Sequence, residues 1–218
     1  MSFNIDEIVP LLIIALTAIT SIKGFGNIAF FDRYKFEVGA ILGKPKQWDR
    51  LLTSATLHGD YAHLAFNMLT LYFFSDVIIV SLGLWQYLVI YFFAIIGGGL
   101  LSLWIHRKEY YYSAIGASGG VVGILFTAIA LHPNMSLGVM FIIPMKGWIF
   151  GLLYLAFSIY GMHNRQGNIG HEAHLGGAAV GLIMAVIFAP EALVTNLKYI
   201  GIMILPLIVL AYLVLKKK

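Results

Sequence analysis

The sequence predicts an all-α fold, a polytopic bundle of membrane-spanning helices. Of its 218 residues 60% are hydrophobic and 11% charged, with a mean hydropathy of +0.88, whereas an ordinary soluble domain carries about 25% charged residues. The apolar residues gather into about seven stretches, each near the roughly 20-residue length that crosses the hydrocarbon core. Their centres are Ile14, Leu71, Phe93, Leu125, Leu155, Ile183 and Leu207. No low-complexity linker or clear internal repeat separates them. Residues 1–190 therefore read as one six-helix domain, and 191–218 as an additional C-terminal transmembrane helix.

Asp6 and Glu7 precede the first apolar run, where a secretory signal would carry positive charge, and no small-residue cleavage site closes that run convincingly. A retained first helix is expected. Gly24 to Arg50 is too polar to span, and its Phe25, Phe30, Phe31, Tyr34, Phe36 and Trp48 suit the headgroup level, which predicts a loop lying partly in the interface. The second helix opens near Tyr61, runs to about Val80, and carries His63 and Asn67 at i,i+4 on one face. His58 lies about 140° away round an ideal helix and belongs to the approach.

Gly83 and Trp85 start the third helix, which ends at His106-Arg107-Lys108-Glu109. The fourth follows Ser113 and runs to about His132. Pro133 and Pro144 bracket a turn-rich stretch before the fifth, Gly147 to Met162. A glycine-punctuated polar loop, 163–170, delivers His171 and His174 to the sixth helix, and the seventh runs from about Tyr199 to Lys216-Lys217-Lys218. His106, His132 and His163 fall at predicted helix ends and read as ordinary interfacial residues. With 0 cysteines, disulfides, thiolate catalysis and cysteine-ligated zinc are excluded. The net charge of +4 comes without a basic stripe of interleaved aromatics, so lipid headgroups, not nucleic acid, are the expected partner.

Two segments carry candidate chemistry: Gly116-Ala117-Ser118-Gly119-Gly120 and Ala173-His174-Leu175-Gly176-Gly177. Serines in membrane helices mostly bond back to a carbonyl one turn earlier. Here four glycines crowd Gly116 to Gly123, and each costs a helix about 1 kcal/mol relative to alanine, so close approach by another group is the natural explanation. Gly119 and Gly123 form a small-xxx-small face that matches Gly177 and Gly181 on the sixth helix. Packed together, these faces would bring His174 within reach of the Ser118 hydroxyl, as a general base needs to reach a nucleophile. Two faces that only pack are the alternative. The pattern G-x-S-x-G also suggests a nucleophile elbow, but no strand is predicted before the serine, and that reading fails on context. With Ser118 in a first helical turn, its hydroxyl and nearby amides would sit at the positive end of the helix dipole. His58, His63 and Asn67 add donors, and Asn67 supplies one that does not depend on protonation.

Taken in order, these residues resemble the rhomboid family of intramembrane serine proteases. The resemblance rests on His58-x4-His63-x3-Asn67, Gly116-Ala117-Ser118-Gly119 and Ala173-His174-Leu175-Gly176-Gly177, with Arg50 eight residues before His58 and Gly83-x3-Tyr87-x3-Tyr91 on the third helix. It covers about residues 5 to 190. It implies a bacterial-type six-helix core, a Ser118–His174 dyad without an acidic member, and an oxyanion hole from the Ser118 N–H, His58 and Asn67. His63, Gly116, Gly119, Gly177, Gly181 and Arg50 would support the site. It further implies a wet cavity open to the extracytoplasmic side of the cell membrane, with the fifth helix and the 163–171 loop as gate and cap. Substrates would be transmembrane helices that unwind locally. No cofactor or metal is implied.

Three positions depart from the family pattern. Val122 stands where an aromatic often stacks on the catalytic histidine, so the imidazole would rely on other neighbours. Asp49 replaces a common tryptophan, and Ile79 a frequent glutamate. An outward-facing serine would also put 12 of 14 basic residues outside, leaving only Lys146 and Lys198 inside, against the positive-inside rule. Two other functions compete. A metal-dependent protein is suggested by His171-Glu172-Ala173-His174, which has one intervening residue too few for the zincin spacing. A catalytically silent binder of transmembrane helices would typically lack the serine or histidine kept here. Substrate and oligomeric state are not legible.

Overall fold

A computed structural model describes residues 5–139, 143–164 and 169–216. Helix α1 (Ile5–Phe25) leads to two short helices, α2 (Ile28–Tyr34) and α3 (Val38–Leu42), and then to α4 (Arg50–Thr53) and a 3-10 turn (Ser54–Thr56). The remaining helices are α5 (Tyr61–Leu82), α6 (Leu84–Ile105), α7 (Ser118–Leu131), α8 (Gly147–Asn164), α9 (His171–Phe188) and α10 (Pro190–Lys216). All seven expected centres fall inside helices. Among the described residues, five helices are long and apolar enough to cross a membrane: α1, α5, α6, α9 and most of α10.

Local signals set several boundaries. Asp60 caps α5 by accepting the His63 N–H at 2.7 Å. Gly83, at φ +103°, ends α5 and turns the chain straight into α6.

Helix α7 is the centre of the bundle. Every residue from Gly119 to Ala130 is buried, as its apolar character all round requires, and α5, α6, α8 and α9 surround it. The predicted glycine faces meet: a Cβ on Gly177 would overlap the Gly119 carbonyl oxygen, and one on Gly181 that of Gly123. Thr127 Oγ1 shares its proton between the Gly123 and Gly181 carbonyls, each at 2.9 Å. Helix α6 closes on the other side of α9, where Gly176 would place a Cβ 2.8 Å from the Gly97 carbonyl.

Some expectations change. The 24–50 segment is not a plain loop, since it holds α2, α3 and the strand β1 (Phe36–Glu37), which pairs antiparallel with β2 (Ser113–Ala114). The turn-rich stretch after Pro133 holds a hairpin, β3 (Ser136–Val139) and β4 (Ile143–Lys146), with Leu137 opposite Met145. Strands of two to four residues are too short for alternation to register. The polar loop over 165–168 lies outside the described residues.

Helix α10 consists of two helical pieces joined at a kink, Asn196 (φ −113°, ψ 15°), so a short piece from Pro190 precedes the one expected from about Tyr199. The Asn196 amide donates to the Ala130 and Leu131 carbonyls, each at 3.0 Å, and so caps α7.

His106 lies at the end of α6, as expected, but it is a packed and paired residue, not an exposed one. It is 8% exposed, stacked on Tyr112 with centroids 3.5 Å apart. Its Nδ1 lies 3.2 Å from Glu109 Oε2, and its Nε2 lies 3.1 Å from Glu172 Oε1. Burial by itself would lower its pKa, but hydrogen bonding and charge attraction from Glu172 and Glu109 outweigh burial and hold it above the usual histidine value. His132 and His163 are exposed, as expected.

Candidate active site

Ser118 opens α7 and His174 lies in the first turn of α9. The glycine contacts that press these helices together bring the Ser118 Oγ to 2.7 Å from the His174 Nε2, hydrogen-bond distance between a hydroxyl and an imidazole. Gly116 makes the approach possible. Its φ of +120° turns the chain between β2 and α7, and a Cβ there would lie 3.0 Å from His63 Nε2. A two-residue strand thus does precede the serine, giving a strand–turn–helix order that the sequence pattern did not reveal. As the first residue of α7, Ser118 has a backbone N–H without an intrahelical acceptor.

The family model described as Rhomboid domain matches residues 45–191. The chain belongs to the rhomboid family. It is 33% identical over 148 residues to RHOMBOID-like protein 12, mitochondrial, of Arabidopsis thaliana, a match covering 61% of this chain and 44% of that protein. It is 31% identical over 138 residues to Rhomboid protein 1, mitochondrial, of Saccharomyces cerevisiae, covering 61% and 40%. The matches thus span less than half the length of these curated relatives. Both relatives are mitochondrial by name, so the bacterial type gains no support from them. With its five candidate spans, this rhomboid is a multi-pass integral membrane protein.

The pair opens on a cavity of about 810 Å³ bounded by α5, α7, α8 and β3 and lined by His63, Asn67, Ser118, Tyr154 and His174. Asn67 is 6% exposed and uses one amide proton on the His63 carbonyl at 3.0 Å; an amide nitrogen carries two.

His58 does not line this cavity. Fully buried, it accepts the Ala117 N–H at its Nε2 over 3.4 Å, which places its proton on Nδ1. From there it donates to Ser21 Oγ at 2.9 Å, and Ser21 passes its own proton to the Thr56 carbonyl at 2.8 Å. Burial, aided by the nearby His63, pushes the His58 pKa down to about 4. The chain of bonds leaves His58 no N–H for an oxyanion. Its expected placement is corrected: His63, packed edge-on against His58, is the histidine beside Ser118.

Arg50 also sits away from the cavity. Only 6% exposed, it donates to the Asp32 and Lys35 carbonyls at 2.9 and 2.7 Å and to Gln47 Oε1 at 2.7 Å, tying the 32–47 segment together. Gly119, Gly177 and Gly181 act through helix contact.

Tyr154 was missed by the sequence reading. Its hydroxyl lies 2.9 Å from His174 Nδ1 and its ring stacks on the imidazole, centroids 5.9 Å apart at 29°. Val122, at the position where an aromatic was wanting, is buried in the apolar core. No signal in one sequence links a tyrosine in α8 to a histidine 20 residues later on α9.

Proposed function

We propose that this rhomboid is an intramembrane serine endopeptidase that hydrolyses peptide bonds in or near transmembrane segments through a Ser118–His174 dyad. The 2.7 Å contact between Ser118 Oγ and His174 Nε2 at the wall of an 810 Å³ cavity carries the reading. His174 removes the Ser118 proton as the oxygen attacks the scissile carbonyl, and then returns it to the leaving amine. The Ser118 N–H, His63 and the free Asn67 amide proton stabilise the developing oxyanion. Water then hydrolyses the acyl-enzyme.

The partners are transmembrane helices, which must unwind locally to present a carbonyl, because an intact helix buries its carbonyls in its own hydrogen bonds. We place the enzyme in the cell membrane with the cavity opening outward, residues 1–190 forming the catalytic core and 191–218 the addition. A cysteine-labelling map of the 106–113 turn tests this orientation; cytoplasmic labelling reverses it.

The activity is tested with a fluorophosphonate probe and a transmembrane reporter. The wild-type protein is expected to label and cleave, and Ser118→Ala and His174→Ala to do neither. A Ser118→Ala protein that still cleaved the reporter would remove the proposal. An unlabelled, inactive wild type would favour a silent binder of helices.

A further inference from the structure

A neutral imidazole has one donor and one acceptor nitrogen, and whatever bonds one nitrogen decides what the other can do. In the dyad Nε2 must be the acceptor, so Nδ1 must carry the proton and needs an acceptor of its own. The carboxylate nearest in sequence, Glu172, is engaged elsewhere: it meets His106 at 3.1 Å and accepts the Tyr112 hydroxyl at 3.3 Å. Among the described residues, the group at hydrogen-bond distance from Nδ1 is the Tyr154 hydroxyl, at 2.9 Å.

Resting on the dyad reading above, we propose that Tyr154 is the positioning residue for His174, accepting the Nδ1–H on its phenol oxygen and so holding Nε2 free to take the Ser118 proton.

The surroundings fit this role. The Tyr154 ring stacks on the imidazole and is itself held by Phe150, centroids 5.7 Å apart at 28°, and by Phe126 at 5.9 Å. Seven residues further along the same face of α8, Gly161 receives the His171 ring so closely that a Cβ would overlap it, while Phe157 meets that ring edge-on at 5.6 Å. Two adjacent turns of α8 therefore register against His171 and His174, which lie i,i+3 on α9. Helix α8 also packs against α10: a Cβ on Gly151 would lie 2.9 Å from Met203 Sδ, and Trp148 packs against Tyr199 at 5.8 Å. The tyrosine thus comes from a helix separate from both members of the dyad, and the tautomer is set only while α8 keeps this seat.

The test uses the full chain in lipid nanodiscs and Tyr154→Phe, which keeps the ring and removes one oxygen. Nitrogen-15 NMR of the imidazoles, assigned by a His174→Gln variant, is expected to show His174 protonated at Nδ1 in the wild type and as a mixture of tautomers in Tyr154→Phe. The kcat for a transmembrane reporter and the rate of Ser118 labelling are expected to fall together by about 10- to 100-fold, less than the roughly 10⁴-fold loss when a charged orienting carboxylate is neutralised, with KM within about twofold. A wild-type His174 protonated at Nε2, or a Tyr154→Phe protein labelling at the wild-type rate, overturns the proposal. A wild type that never labels Ser118 sinks the dyad reading instead, and the tautomer comparison still decides whether Tyr154 sets the imidazole.

Discussion

Gly181 crosses Gly123 with no room for a side chain between them, and the Thr127 hydroxyl bridges both carbonyls. This contact, with the Gly177 and Gly119 pair one turn away, fixes the separation of α7 and α9 and hence the reach from His174 to Ser118.

Gly181→Ala is therefore expected to lower stability by about 1–3 kcal/mol, as overpacking a close-packed contact does, and to slow labelling of Ser118 by parting the helices. Thermal unfolding in detergent reads the first effect and probe kinetics the second. Gly201→Ala, with nothing within 4 Å of its Cβ, is the matched control and is expected to leave labelling unchanged and to raise stability by up to about 1 kcal/mol through alanine's helix preference.

Stability should peak between mildly acidic and neutral pH. The His106 pKa is raised, so its contribution is full below the unfolded value of about 6.5 and is lost as pH rises through the folded value. The His58 pKa is lowered to about 4, so its contribution is present above about 6.5 and is lost as pH falls towards 4. A melting-temperature series over pH tests both limbs. His106→Gln is expected to flatten the alkaline limb and leave the acid limb; an unchanged alkaline limb would assign that decline to another group.

Removing the Asn196 amide should loosen the end of α7. Asn196→Asp keeps the shape but cannot donate to the Ala130 and Leu131 carbonyls, and the loss is expected to reach about 1 kcal/mol or somewhat more, since these acceptors are only partly buried. Unfolding by denaturant measures it. An Asn196→Asp protein as stable as wild type would show that the cap contributes nothing.

Ser21→Ala leaves the buried His58 Nδ1–H without its acceptor and is expected to destabilise the fold by about 1–3 kcal/mol. Because His58 also holds the Ala117 N–H beside Ser118, Ser118 labelling should slow in parallel. Retained stability would mean that His58 finds another partner.

Asn67→Ala is expected to lower kcat on a transmembrane reporter by about 10²-fold or more with little change in KM, the pattern of a donor that acts only in the transition state. His63→Ala should behave alike. A rise in KM at constant kcat would instead assign these residues to ground-state binding.

How far the sequence could be read follows from the range of each signal. Apolar runs long enough to span a bilayer are local facts, so Ile14, Leu71, Phe93, Leu125, Leu155, Ile183 and Leu207 all lie within helices. The glycine faces of α7 and α9 were legible because i,i+4 spacing in each helix predicts a complementary surface, and Ser118 and His174 followed from them. Two-residue strands carry no periodic signal, so the pairing of Phe36 with Ala114 was invisible. The kink at Asn196 hid the first turns of α10 in the same way.

By itself the sequence determined where the apolar helices lie, that the glycine faces of α7 and α9 match, and which hydroxyl and imidazole those helices carry, since each depends on residues a few positions apart. Tertiary structure alone decided that His63 and not His58 stands beside Ser118, that His106 is buried with Glu172, and that Tyr154 reaches His174. Each of these is a contact between elements distant in the chain. Its geometry depends on how helices rotate and settle against one another, and no spacing within a single helix encodes that.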